Sequence, residues 1–252
     1  MVTSPSIADL RAATQPPSIF ARHSGEHWAG RLYVRRISPY LTRLLLRTRL
    51  TPDAVTWLML ALGPVAAAVL TLPGLPPAIG VVLLVQFQLL LDCCDGEMAR
   101  WRGVSSPTGI FVDRLAHNVT EAALPIALGI RADGGWHHLG GWTTLGLVIS
   151  VLVLWIKSET VLVHVARAEA GLPPAKDTVA VAAPRGGVLA ALRRSAGRLP
   201  FYRAFVAIEF TALTLVFAIF DAEQTLLVIL LPVAAITAVG HLVAILTSSR
   251  LR

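Results

Sequence analysis

Apolar residues in this chain come in long runs rather than in alternation. The runs cover roughly residues 54–72, 76–91, 105–130, 139–165, 201–220 and 224–247. Each is near or above the ~20 residues that an α-helix needs to cross a bilayer core of about 30 Å. The pattern predicts an all-α integral membrane protein with six transmembrane helices. Between the runs stand Leu72-Pro73-Gly74-Leu75-Pro76-Pro77, Asp133-Gly134-Gly135 and Gly140-Gly141, which end helices and reverse the chain. The longest connection, about residues 169–200, is broken by Pro and Gly. Little sequence is left for a second folded domain.

Ahead of the runs, residues 1–27 are polar and mixed, carry Pro5, Pro16 and Pro17, and read as loosely structured. From Trp28 to Leu50 the pattern changes. Ile37, Leu41, Leu44 and Leu45 fall at helical spacing with Arg43 and Arg47 among them, which predicts a basic amphipathic helix in the cytoplasmic interface. Thr51-Pro52 reads as an N-cap followed by proline at the first helical position. The chain thus divides into a cytoplasmic segment, residues 1–50, with an interfacial helix, and a six-helix transmembrane domain, residues 51–252.

Composition reinforces this reading. At 252 residues, 55% hydrophobic and 15% charged, with a mean hydropathy of +0.66, the chain is too apolar for an ordinary soluble domain. Its net charge of +7 could suggest nucleic acid, but the placement of the charges argues otherwise. With the N-terminus cytoplasmic, 20 of the 22 Lys and Arg fall on one side of the six-helix topology, Arg131 lies outside and Arg114 lies within the third span. This is the positive-inside asymmetry, and it suits anionic lipid heads rather than nucleic acid. Both termini are expected in the cytoplasm, and no signal peptide is expected in residues 1–50. Adjacent Cys93 and Cys94 suit helix packing better than a disulfide or a zinc site.

Charges within spans are costly and call for a reason. The second run ends LLLDCCDGEMARWRG and the third begins SSPTGIFVDRLAHNVTEAALP. Asp92 and Asp95, three apart, share a helix face. Asp113 and His117, four apart, share another, with Glu121 one turn deeper. The short link from Gly103 to Pro107 makes the two helices antiparallel neighbours, so these faces can meet near the inner membrane surface. Converging carboxylates repel unless protonated or bound to cations, and oxygen ligation suits Mg²⁺ or Mn²⁺ on phosphate oxygens. Gly96, Ala99 and Gly109 leave room for a ligand or a facing helix.

The stretch Asp92-Cys93-Cys94-Asp95-Gly96-Glu97-Met98-Ala99-Arg100, eight residues, Gly109, three residues, Asp113, three residues, His117 resembles the signature of the CDP-alcohol phosphotransferase family. That signature reads DxxDGxxAR, eight or nine residues, GxxxDxxxD, and seven of its eight fixed positions match. Residues RRISPYLTRLLLRTRLTPDAVT are similar to the lead-in of members that make inositol-phosphate compounds, where Asn usually stands at the position of Asp53.

The resemblance implies an enzyme in which an acceptor hydroxyl attacks the phosphorus of a CDP-alcohol and CMP leaves. It implies Asp92, Asp95 and Asp113 as metal ligands, with Mg²⁺ or Mn²⁺ as cofactor. Asp92, Gly96, Ala99, Arg100 and Gly109 would shape the nucleotide pocket, and Thr56 and Asp53 are further candidates for it. A phosphatidyl group from CDP-diacylglycerol is the expected cargo. The alternative is a CDP-linked polar alcohol with a lipid or phosphorylated polyol acceptor. A homodimer in the bacterial inner (plasma) membrane is the expected setting.

His117 stands where the family has its last Asp, the expected general base. Histidine accepts protons well near neutral pH, so His117 as base, His117 as metal ligand or substrate contact, and a catalytically impaired homologue all remain open. Glu121 is the reserve base. Arg193, Arg194, Arg198 and Arg203 fall on the same cytoplasmic side and could bind a phosphorylated acceptor, although an ordinary positive-inside loop or lipid-head contact accounts for them slightly better. A small membrane transporter competes as a class, but it predicts acids at mid-membrane in both halves, and the second half has nothing comparable.

Overall fold

The computed structural model describes residues 5–16, 28–173, 201–248 and 251. Among the described residues every regular element is helical: α1 (Ile7–Thr14), α2 (Arg35–Leu45), α3 (Pro52–Leu70), α4 (Leu75–Arg102), α5 (Pro107–Ala132), α6 (Gly141–Glu169), α7 (Ala207–Ile219) and α8 (Glu223–Thr247). A π turn, Gly30–Val34, leads into α2, and a 3₁₀ turn, Phe201–Phe205, precedes α7.

Among the described residues four helices are long and apolar enough to cross a membrane: α3, α4, α6 and α8. They correspond to the first, second, fourth and sixth hydrophobic runs, and the protein is an integral membrane protein. The third run forms the 26-residue α5, whose charged residues keep its composition below that standard. The fifth run forms only the 13 residues of α7 after its 3₁₀ turn, about 20 Å of helix at 1.5 Å per residue.

Helix boundaries follow the local chemistry. The Ala54 N–H donates to Thr51 Oγ1 at 3.1 Å and Pro52 opens α3, as the Thr51-Pro52 pair predicts. Ser106 caps α5 in the same way, accepting from the Gly109 N–H at 3.1 Å. At the end of α4, Gly103 adopts φ +63°, and the Val104 N–H reaches the Ala99 carbonyl while the Gly103 N–H reaches that of Arg100. That is a Schellman stop, which closes the helix in one left-handed step. One expectation is corrected at the N-terminus. Within residues 1–27, read as loosely structured, Ile7–Thr14 is helical, held by a reciprocal capping box between Ser6 and Asp9. The S-x-x-D signal was present in the sequence.

The chain groups into two compact units, Met1–Ala66 with Gly80–Thr120, and Ala67–Ile79 with Glu121–Arg252. In the first, Val55, Met59, Leu91, Met98 and Ala116 form a buried core, with Leu41 and Leu45 packed against it. Buried Gln88 links three helices there, donating to the Met59 carbonyl at 3.0 Å and to Thr120 Oγ1 at 2.8 Å. Cys93 and Cys94 are both buried and neither forms a disulfide, in line with a packing role.

In the second unit, α5 and α6 meet through glycine. A Cβ added at Gly129 would fall on the Trp142 carbonyl, and one added at Gly146 on the Pro125 carbonyl. Asp133 caps the start of α6, accepting from the N–H groups of Gly140 at 2.8 Å and Thr143 at 2.7 Å and from the Thr143 hydroxyl at 2.6 Å. Burial works to raise the Asp133 carboxyl, but these donors together with the Trp142 N–H hold it below its ordinary value. Buried Arg131 donates to Glu223 at 2.7 Å and to the carbonyls of Leu72 and Gly74. The one basic residue on the outer side in the sequence reading is thus a structural tie. His241 Nδ1 lies 2.7 Å from Glu159 Oε2, an interhelical hydrogen bond of the kind expected for a histidine within spans.

Two stability predictions follow from these contacts. Gly146→Ala is expected to cost about 2 kcal/mol by overpacking, whereas Gly141→Ala, where an added Cβ meets nothing within 4 Å, leaves the melting temperature in detergent unchanged. Arg131→Met strands Glu223 and two carbonyls and is expected to cost about 3 kcal/mol, read in the same thermal melts.

Candidate active site

The site is built at the α4–α5 hairpin within the first unit. Its helices are joined by only Gly103–Ser106, and α4 is tethered further by Arg102, which donates to the Leu50 carbonyl at 2.7 Å. The hairpin brings the expected faces together. His117 Nε2 lies 3.4 Å from Asp92 Oδ1 and 3.6 Å from Asp113 Oδ1. One ligand atom from each of Asp92, Asp113 and His117 lies within 4.8 Å of the others, an arrangement able to hold a metal ion. All three side chains are partly exposed, so solvent and ligand can reach them.

Asp95 sits one turn from Asp92 but turns to another partner. Its Oδ2 accepts from buried Thr56 Oγ1 at 2.7 Å, so the first long helix holds this carboxylate in place. Thr56 Oγ1 also lies 3.1 Å from the Pro52 carbonyl. Two oxygen-donor aspartates beside an imidazole, with a third aspartate a turn away, suit a divalent cation, because such a group repels itself without positive charge among its members.

The glycines of the motif serve neighbours within the protein. A Cβ on Gly109 would lie 2.7 Å from Asp53 Oδ1, so the missing side chain is what admits Asp53. Asp53 in turn accepts from the Ser106 hydroxyl at 2.9 Å, which joins the start of α3 to the start of α5. At Gly96 the nearest atoms belong to the Arg100 guanidinium, 3.1 Å from an added Cβ. Arg100 Nε donates to the Thr14 carbonyl at 2.6 Å, a partner that sequence spacing could not reveal. Ala99 is half-buried on the same helix.

Glu121 belongs to the second unit and is buried in an ion pair with Lys157, 2.8 Å from its Nζ. Arg203 sits in the 3₁₀ turn before α7, also in the second unit. Arg193, Arg194 and Arg198 lie outside the described residues. Sequence reasoning passed over Glu97, which is fully buried beside the motif and bonded to Gln15, Ser38 and Thr42.

A phosphatidylinositol phosphate synthase from Mycobacteroides abscessus is 33% identical over 137 residues, covering 54% of this chain and 58% of that protein. An archaetidylinositol phosphate synthase from Aeropyrum pernix is 36% identical over 102 residues, covering 38% of this chain and 50% of that one. The chain therefore spans between half and three fifths of the length of these curated relatives. Among solved structures, Mycobacterium tuberculosis phosphatidylinositol phosphate synthase with CDP-DAG bound gives a TM-score of 0.49 at 21% identity, over 85% of this chain and 96% of that one. The family model described as CDP-alcohol phosphatidyltransferase matches residues 49–240, which include the whole motif from Asp92 to His117. With that match extending over most of its length, the chain belongs to the CDP-alcohol phosphatidyltransferase family.

Proposed function

We propose that this protein transfers a phosphatidyl group from CDP-diacylglycerol to the hydroxyl of an alcohol acceptor and releases CMP. The observation that carries the reading is the convergence of Asp92, Asp113 and His117 within 4.8 Å, inside the residues that the family model matches. The acceptor oxygen forms a new bond to the phosphorus that carries the diacylglycerol. The bond from that phosphorus to the bridging oxygen breaks, CMP departs with that oxygen, and the acceptor proton passes to a base.

Asp92, Asp95 and Asp113 would hold the divalent cation, Mg²⁺ or Mn²⁺. When bound, such an ion neutralises charge on the leaving phosphate and favours in-line attack. The protein's own part is orientation and proton handling. Thr56 restrains Asp95, and the hairpin holds Asp92 and Asp113 on facing turns. His117 Nε2, flanked by both carboxylates, takes the acceptor proton in the first reading. The second reading makes His117 a metal ligand, and the same three-residue convergence favours it. The nucleotide would lie along Gly96, Ala99, Arg100 and Gly109, with Asp53 and Thr56 beside it.

The relatives' names point to a phosphorylated polyol, such as an inositol phosphate, as the acceptor. Guanidinium groups bind phosphate bidentately, which keeps Arg203 as the acceptor candidate among described residues. The wider setting follows the hydropathy and charge pattern, with six spans, α5 and α7 as the third and fifth, and residues 1–50 and the C-terminus cytoplasmic; the family resemblance adds a homodimer in the bacterial inner membrane. The outward face of α2 supports an interfacial placement, because Ile37, Tyr40 and Leu44 are 50%, 59% and 57% exposed while polar Ser38 and Thr42 are buried.

Purified protein given CDP-diacylglycerol, Mg²⁺ or Mn²⁺ and a panel of polyols and polyol phosphates is expected to release CMP only with metal and acceptor both present. Metal-independent release, or none with any donor, sinks the proposal. Asp92→Asn and Asp113→Asn are each expected to lower kcat at least about a hundredfold and to weaken Mn²⁺ binding measured by electron paramagnetic resonance. For His117→Ala, lost turnover with intact Mn²⁺ affinity assigns the base, whereas loss of both assigns a ligand. Arg203→Ala is expected to raise the acceptor KM about tenfold, the worth of one charged hydrogen bond, and an unchanged KM removes Arg203 from the acceptor site.

A further inference from the structure

Glu97 lies two residues beyond Asp95 on α4 and is 0% exposed. A carboxylate taken out of water is costly unless hydrogen bonds and charge replace its hydration. Here the replacement is well built. Gln15 Nε2 donates to Oε1 at 2.8 Å, the Ser38 hydroxyl to the same oxygen at 2.5 Å, and the Thr42 hydroxyl to Oε2 at 2.7 Å. Arg35 Nη1 stands 3.9 Å from Oε1. All four partners come from residues 15–42, the segment that precedes the first long apolar helix.

Other bonds join the same surfaces. Arg100, one turn beyond Glu97, donates to the Thr14 carbonyl, and Gln15 Nε2 also reaches the Arg35 carbonyl at 2.8 Å. Arg11 Nη2 donates to the Arg36 carbonyl at 3.1 Å. Helix α2 is therefore turned with its polar line, Ser38 and Thr42, inward to Glu97. At about 100° per residue, Glu97 projects roughly 200° around α4 from Asp95. The aspartates and Glu97 thus leave the same two turns of helix in different directions.

We propose that Glu97 is a positioning residue for the transfer reaction. By binding α2 and the end of α1 behind the turns that carry Asp92 and Asp95, it fixes the rotation of α4 about its own axis. The N-terminal segment is then part of the frame of the active site rather than a separable membrane anchor. The inference rests on the phosphotransfer reading given above for what the aspartates do.

The test uses the full chain with Glu97→Ala, Glu97→Gln and the double variant Ser38→Ala/Thr42→Val. Mn²⁺ binding by electron paramagnetic resonance and CMP release are measured on each. Glu97→Ala is expected to bind Mn²⁺ at wild-type stoichiometry with at least tenfold weaker affinity, and to lose at least tenfold in kcat while the donor KM stays within about twofold. Glu97→Gln keeps an oxygen for Ser38 and Gln15 and a polar group for Thr42, and is expected within threefold of wild type. The double variant is expected to fall between them. Wild-type Mn²⁺ affinity and kcat in Glu97→Ala overturn the proposal. If that variant does not fold, wild-type values in the double variant overturn it instead. A wild-type protein that releases no CMP defeats the phosphotransfer reading, while the Mn²⁺ measurements still judge Glu97.

Discussion

An apolar helical chain in a bilayer has few places to put a charge, and the first unit of this protein is organised around that constraint. Each ionised side chain away from water must meet a partner or a ligand, since hydrocarbon offers none. Two sets of carboxylates on the α4–α5 hairpin meet the requirement in opposite ways. Glu97 is saturated by hydrogen bonds from the protein. Asp92 and Asp113 lie close together with His117, partly exposed, in an arrangement able to hold a cation. Glu97 is satisfied within the protein, and the cluster stays open to a ligand.

That division depends on a short turn and two caps. Gly103 stops α4 and Ser106 starts α5, so the two faces are held in register within a few residues. Ser106 also receives Asp53 against the gap at Gly109, which fixes the beginning of α3 to the same hairpin. Thr56, one turn along α3, then reaches Asp95. Small polar bonds between helix ends thus set the aspartate positions, while Val55, Met59, Leu91, Met98 and Ala116 supply the packing beneath them.

Much of this was legible beforehand. The Thr51-Pro52 start of α3, the α4–α5 hairpin and the meeting of Asp92, Asp113 and His117 all follow from spacing, because caps and helical faces are local properties. The role of the motif glycines was legible only in part. Their small size signals close approach, but the group that approaches, Asp53 at Gly109 and Arg100 at Gly96, comes from packing. The helix at Ile7–Thr14 was missed although Ser6 and Asp9 signal its cap, since two turns of helix leave little hydrophobic period to read. The fifth run was long enough on composition, yet its first residues form a 3₁₀ turn and α7 is correspondingly short.

The sequence by itself determined the apolar runs, the family motif and the residues that share a helix face. These are set by hydropathy and by a period of 3.6 residues, and neither needs a distant partner. Only the tertiary structure decided how the buried charges are satisfied. Glu97 depends on Gln15, 82 residues away, Arg131 on Glu223, 92 residues away, and Asp53 on Ser106, 53 residues away. Periodicity says which way a side chain points along its own helix. It does not say which face of which other helix will be there to meet it.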